Sequence, residues 1–393
     1  MIQLNVEGAR SKGWMFFFYY LLLLPLVGLS QNKSSSGSGD ISISSLKFIN
    51  EYDIPFNLKF KGTTVGGLSG IDFDRENNKY YFISDDRSAI NPARFYTAKI
   101  FISEKGIDSI QFLSVHHLLE QNGEPYPSAK QNNSRTTDPE AIRYNPASKQ
   151  IVWTSEGERI VKSNPPILTN PSITISSLDG KFVDTFPLAQ NLEMRPTENG
   201  PRQNGALEGV TFDADLKTMY VAMEEPLYED GPMADVTPTK SWTRIYGYDL
   251  STKKNFVQYA YALEPVAHAA NPATAFKING ISEILSLGDK KLLTVERSFS
   301  TGRLACTIKV FMADLSGATP VENNKSLTQT PPERGVAKKL LLNLDDLGIF
   351  VDNIEGVTFG PDLPNGHKTL LFVSDNNFVL FEKMQLLLFE IIP

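Results

Sequence analysis

The stretch Leu207–Glu225, LEGVTFDADLKTMYVAMEE, decides the fold of this chain. It holds a short apolar run, a polar turn (DADLKT), and a second apolar run that ends in two acids. Runs of β-branched and aromatic residues bounded by such turns read as hairpins. The opening phrase recurs as LSGIDFD at Leu68–Asp74, PEAIRY at Pro139–Tyr144, ISEILSL at Ile281–Leu287 and IEGVTF at Ile354–Phe359. Its second residues are Ser69, Glu140, Glu208, Ser282 and Glu355. Their spacings are 140−69 = 71, 208−140 = 68, 282−208 = 74 and 355−282 = 73. A near-constant period of this size marks an array of supersecondary units.

Each repeat continues alike. The second runs are YYFISDD (Tyr80–Asp86), IVWTSEGE (Ile151–Glu158), MYVAMEE (Met219–Glu225), LLTVER (Leu292–Arg297) and LLFVSDNN (Leu370–Asn377). Third runs follow as RFYTAKI, SITISSL, RIYGYDL, CTIKVFMADL and QLLLFEII, and fourth runs as SIQFLSV, FVDTFPL, NFVQYAYAL and AKKLLLNL. The last repeat ends before its fourth strand, and the missing strand is available in Ile41–Ile54. The pattern predicts an all-β fold, a β-propeller of four-stranded antiparallel blades. Five blades are counted. The loosely patterned segments Lys162–Pro171 and Thr319–Pro332 leave room for a degenerate sixth. Pairing of Ile41–Ile54 with Gln385–Ile392 would close the ring and protect its edges.

The net charge of −7 argues against nucleic acid as a partner, because binding phosphates needs a basic surface. The N-terminus has the layout of an export leader. Arg10 and Lys12 precede an apolar stretch, Trp14–Leu29, interrupted by Pro25; Gly28 and Ser30 sit at −3 and −1 of a cut before Gln31. The expected organisation is a signal peptide over 1–30, a polar spacer over 31–40 and one propeller domain over 41–393. That places the protein in the periplasm, outside the cell or on its surface, without stable membrane insertion after cleavage; a retained anchor is the alternative. The sole cysteine, Cys306, cannot form an internal disulfide and reads as a small buried apolar residue.

In a propeller the start of each first strand and the end of each second strand share one face. The starts carry Ser69, Glu140, Glu208, Ser282 and Glu355; the ends carry Asp85, Asp86, Glu156, Glu224, Glu225, Glu296 and Asp375. One rim of the channel is therefore predicted to gather carboxylates from several blades. Close carboxylates need arginine partners, raised pKa values or a hard cation. Arg87, Arg143, Arg202, Arg297 and Arg303 lie near the motifs. Calcium suits the third route, since it takes six to eight oxygen ligands. Asn204, Asn279 and Asn353 precede first-strand phrases and would add amide oxygens.

Other chemistries lack their patterns. GGLSG at Gly66–Gly70 does not match the nucleophile elbow, so Ser69 reads as a channel-lining hydroxyl. His116, His117, His268 and His367 show no zinc spacing. DFDREN (Asp72–Asn77) and DAD (Asp213–Asp215) lack the terminal glutamate of an EF-hand and read as hairpin turns.

The ordered set GGLSGIDFD…ISDDR…PARFY, DPEAIR, NGALEGVTFD…MEEP, NGISEIL…VER and NIEGVTF…VSDNNF resembles the family called "esterase-like activity of phytase". The resemblance runs from about Leu46 to the C-terminus. It implies a propeller-type fold, export and a hydrolase acting on phosphate or carboxylic esters. The catalytic signature of the separate calcium-dependent β-propeller phytases is not found here. The leading expectation is a metal-assisted hydrolase of a small ester or phosphoester. Its cation would be held by Glu140, Glu208 and Glu355, with Asn204, Asn279 and Asn353. One of Glu156, Glu224 or Glu225 would be the general base, and Arg297 or Arg87 would hold the anionic part of the substrate. A calcium-dependent lactonase and a non-catalytic binding propeller are the alternatives.

Overall fold

Each repeat forms one four-stranded antiparallel sheet, and there are five such sheets. The computed structural model describes residues 41–393; the expected leader and spacer lie outside the described residues. Blade one consists of Gly70–Asp74, Lys79–Ser84, Arg94–Ser103 and Gly106–His117. Blade two runs from Pro139–Asn145 through Gln150–Ser155 and Ser172–Ser177 to Phe182–Thr185. In blade three the strands are Leu207–Phe212, Thr218–Met223, Trp242–Asp249 and Asn255–Ala262. Blade four is built from Lys277–Gly288, Lys291–Ser300, Thr307–Asp314 and Ala337–Asn343. Blade five takes Asn353–Phe359, Thr369–Asp375 and Met384–Ile392 from the C-terminus, and its outer strand is Ser45–Ile54.

That last pairing is antiparallel, from Ser45 opposite Ile392 to Ile54 opposite Met384. The ring is thus closed by the two ends of the described chain. The inner strands pack in cyclic order, each against the next, and the inner strand of blade five returns to that of blade one. The result is a five-bladed β-propeller. The segments that left room for a sixth blade are otherwise employed. Ile167–Thr169 pairs with Glu158–Ile160 as a small extra hairpin, and Val321 and Leu327 pack against Ala260 at the edge of blade three. Among the described residues, no helix is long and apolar enough to cross a membrane.

Stability is distributed over five seams, because each blade buries one face against each neighbour. Blades one and two meet through Tyr81, Ile83, Ile142 and Trp153, and blades two and three through Val152, Ile173, Val210 and Val221. Tyr220, Ile245, Ile281 and Ile284 fill the next seam, followed by Leu285, Val295, Ile354 and Phe372. Ile71, Phe82, Val373 and Leu386 complete the circle. Each such side chain contributes about 1.5–3 kcal/mol on burial. Cys306 is buried in the seam between blades four and five, as a small apolar residue would be.

The channel axis is plugged by a charged pair. Arg143 lies on the inner strand of blade two and Glu283 on that of blade four, with Arg143 Nη2 2.9 Å from Glu283 Oε2. The other repeats carry Gly70, Ala141, Gly209 and Gly356 where blade four has Glu283. A Cβ on Gly209 would come within 2.8 Å of Glu283 Oε1, so that glycine makes room for the plug.

Candidate active site

A backbone irregularity aims the repeated glutamates at the channel. In the inner strand of blade two, Pro139 to Ile142 spans one residue more than its partner Ser155 to Trp153. The same extra residue occurs between Leu207 and Val210, between Ile281 and Glu283, and between Ile354 and Gly356. These are β-bulges. A bulge breaks strand alternation and re-aims a side chain, which is why bulges gather beside functional sites. The second residues of the phrase, Glu140, Glu208, Ser282 and Glu355, all sit within them. Ser69, their counterpart in blade one, donates its hydroxyl to the Glu140 carbonyl at 2.7 Å.

A second set comes from the ends of the second strands. The residue opposite the position just before each phrase is Asp85, Glu156, Glu224, Arg297 or Asp375. The first three donate their N–H to the carbonyls of Gly67, Asp138 and Ala206, while Arg297 pairs with Gly280 and Asp375 with Asn353. Arg297 therefore stands where the other four blades place an acid.

Together the two sets make a buried acidic ring with one inner counter-charge. Oxygens of Glu140, Glu156 and Glu208 lie within 4.8 Å of one another, as do oxygens of Asp85, Asp138 and Glu140. Arg297 Nη2 is 2.6 Å from Glu224 Oε1 and 3.7 Å from Glu355 Oε1. Arg87 closes the outer side, 2.6 Å from Glu158 and 3.4 Å from Asp138. Glu156 accepts the backbone N–H groups of Gly205 and Ala206. Gly205 has φ +103°, and a Cβ there would lie 2.6 Å from Glu225 Oε2, so only glycine fits between the two glutamates. The carboxylates of Glu140 and Glu208 accept no hydrogen bond from the described residues, although these residues are only 7% and 6% exposed.

The electrostatic consequence is a set of carboxyls that resist ionisation. Burial, then the charge of Glu208, pushes Glu140 well above the ordinary range; burial and Glu156 do the same to Glu208. Glu156 and Glu225 are pushed up to about 8, mainly by burial. Glu355 rises to about 7, because burial outweighs the opposing pull of Arg297. Burial also raises Glu224, again against Arg297. Asp85 and Asp375 are raised well above their usual values by burial and by neighbouring acids.

Of the residues expected to hold a metal, Glu140 and Glu208 come together, with Glu156 as their third member. Glu355 lies outside that cluster, 3.7 Å from Arg297 Nη2, and Asn353 donates to it at 2.9 Å. Two asparagines are placed otherwise. Asn279 gives its amide to Glu296 at 2.7 Å and to the Glu264 carbonyl at 2.9 Å. Asn204 is exposed at φ +48° and makes no side-chain hydrogen bond within the described residues. Two acids also leave the rim. Glu296 is bound by Tyr261 and Lys338, which sit on the outer strands of blades three and four. It pairs with Ile281, one position short of the rim. Asp86 is held by Arg94 and caps the N–H groups of Ala89, Ile90 and Asn91. Arg202 serves loop carbonyls, at Pro226 and Gly231. The sequence reading missed Asp138. Its signal was visible as the acid before the phrase in DPEAIR.

A family model described as "Phytase-like: Esterase-like activity of phytase" matches residues 63–378. No curated protein matches significantly. Among solved structures, an endo-arabinase from Bacteroides thetaiotaomicron is 12% identical with a TM-score of 0.42, covering 86% of this chain and 98% of its own. An exo-beta-1,3-galactanase from Phanerochaete chrysosporium is 10% identical with a TM-score of 0.46, covering 87% of this chain and 64% of its own. An arabinanase from Bacillus subtilis is 12% identical with a TM-score of 0.40, covering 82% of this chain and 94% of its own. Likenesses this distant say nothing about the reaction of this chain.

Proposed function

This chain belongs to the phytase-like family, named for the esterase-like activity of phytase, and on that footing we propose that it is an exported hydrolase of phosphate or carboxylic esters, working with a hard cation at the acidic rim. Export rests on the leader pattern of Arg10–Ser30. The observation that carries the reaction class is the pair Glu140 and Glu208. Both are buried, neither accepts a hydrogen bond from the described residues, and they share a 4.8 Å cluster with Glu156. Buried carboxylates this close need a partner. Oxygen-only donors suit calcium better than zinc.

When bound there, a cation would supply Lewis-acid polarisation of an ester oxygen and a water of lowered pKa. The protein residues divide the remaining work. Glu156 would act as general base beside the cation and not as its ligand: two backbone N–H groups fix one of its oxygens and leave the other to take a proton from water. Arg297 is the one cationic residue of a pocket of about 200 Å³ that also includes Phe299, Cys306, Asn353 and the acids Asp352 and Glu382. There it would meet the anionic part of a substrate, while Glu224 and Glu355 hold the guanidinium in place. Arg87, committed to Glu158 and Asp138, stabilises the charge of the outer rim.

The test is turnover of p-nitrophenyl phosphate, p-nitrophenyl acetate, phytate and a set of lactones, with chelator and with calcium restored. Ester turnover lost in chelator, regained with calcium and lowered about 10²–10⁴-fold by Glu156→Gln is the expected result. Turnover of lactones alone would make the protein a lactonase. Turnover indifferent to chelator would rule out the cation's role, and ligand binding without turnover would leave a binding propeller.

A further inference from the structure

We propose that the substrate at the rim is an ester of low charge carrying an apolar substituent, and that Leu304, Leu380 and Phe381 select for that substituent. The inference rests on the hydrolase reading above. The four most exposed large apolar side chains among the described residues are Leu380 (77%), Leu304 (72%), Phe381 (68%) and Phe276 (58%). All four stand on rim-face connections of blades four and five. Phe276 precedes the inner strand Lys277–Gly288, Leu304 follows Lys291–Ser300, and Leu380 and Phe381 follow Thr369–Asp375. The turns between first and second strands, on the opposite face, expose no Leu, Ile, Val or Phe. Apolar side chains clustered in this way mark a contact with an apolar group, whereas single scattered ones need no explanation.

The cluster is continuous with the Arg297 pocket. Phe299, Leu304 and Cys306 form its blade-four wall, and Phe276 extends that wall, its ring 6.2 Å from that of Phe299. Asn377 and Glu382 line the blade-five side, joined by a hydrogen bond of 2.9 Å, and Leu380 and Phe381 lie between them in the chain. That loop is firmly held. Phe378 packs onto Gly66 and Gly67, where a Cβ would come within 2.7 and 2.6 Å of its ring, so one aromatic side chain is anchored while the two apolar residues of the tip stay in solvent. The pocket volume of about 200 Å³ exceeds the ~150 Å³ that holds a benzene ring, so an apolar substituent of about six carbons fits. Charge points the same way. Arg297 is the one cation of the pocket and is already shared by Glu224 at 2.6 Å and Glu355 at 3.7 Å. Arg87 is committed to Glu158 and Asp138. One anionic group can be accommodated; the several phosphates of a multiply phosphorylated ester would meet more carboxylates than arginines.

Initial rates on two ester series test the proposal, each corrected for uncatalysed hydrolysis. p-Nitrophenyl hexanoate against the acetate reads an apolar group on the acyl side, and hexyl acetate against ethyl acetate reads one on the alcohol side. In at least one series the longer ester should have the higher kcat/KM, by on the order of tenfold. Leu304→Ser, and separately Leu380→Ser combined with Phe381→Ser, should each lower that ratio several-fold. These positions are exposed, so the variants should fold, and Phe256→Ser, on the outer strand of blade three, should leave the ratio as it was. Ratios near one in both series, with the esters still turned over, would overturn the apolar selection and leave the proposed function standing. So would a preference that survives in both variants, or turnover confined to phosphate esters, phytate included. Absence of turnover on every ester would overturn both readings.

Discussion

The channel contains two groups of buried charge with opposite characters. At the axis, Arg143 donates to carbonyls of Ile71 at 2.6 Å, Ile142 at 3.2 Å, Ile284 at 3.0 Å and Val357 at 3.0 Å. Its partner Glu283 accepts the N–H groups of Val210 at 3.2 Å and Ile284 at 2.9 Å. All five blades are thereby tied to one ion pair. At the rim, acids outnumber arginines, and Glu140 and Glu208 accept no hydrogen bond from the described residues. The difference separates structure from function. Charge supplied with partners by the fold holds the ring together; the rim acids have fewer such partners, and burial keeps them from ionising.

The largest effect should come from breaking the plug. Arg143→Met leaves Glu283 without its counter-charge and four carbonyls without a donor. Urea denaturation should show a loss of about 3–5 kcal/mol. If the loss is no larger than that of a surface substitution, the plug is not the keystone of the ring. Glu208→Gln should do the reverse in chelator, leaving stability unchanged or higher because it relieves repulsion. With calcium present it should instead be the less stable protein. Saturation at a hundred times the dissociation constant stabilises a folded protein by about 2.7 kcal/mol, and this variant forfeits part of that gain. Thermal melts with and without calcium read both signs.

The smallest effect is a pH dependence confined to the rim. Glu156 and Glu225, pushed up to about 8, and Glu355, pushed up to about 7, keep their protons in the folded state after the unfolded chain has lost them. Stability from these groups is full below the ordinary carboxylate range of about 4.3 and falls as pH rises through 7 and 8. In chelator the melting temperature should therefore decline over that window. Calcium competes with protons for the same oxygens, so its stabilising shift should grow with pH. A calcium shift that is flat from pH 5 to about 8 would place the ion outside this cluster.

The repeat was legible in the sequence because its signals are local. Apolar alternation, turn residues and a period near 71 residues require no knowledge of distant contacts. Five blades, closure by Ser45–Ile54 and a convergence of Glu140 and Glu208 all follow from that register. What the sequence could not settle depends on single-residue shifts within strands. A bulge adds one residue and changes which face a side chain occupies. Glu296 pairs with Ile281 and turns outward, while its neighbour Arg297 takes the position that four other blades give to an acid. The sequence shows an acid and an arginine side by side and does not tell which one reaches the channel. Arg143 looks like one more arginine near a motif. Only the closing of the ring surrounds it with carbonyls from four inner strands, since a partner supplied by the far side of a ring does not exist until the ring is complete.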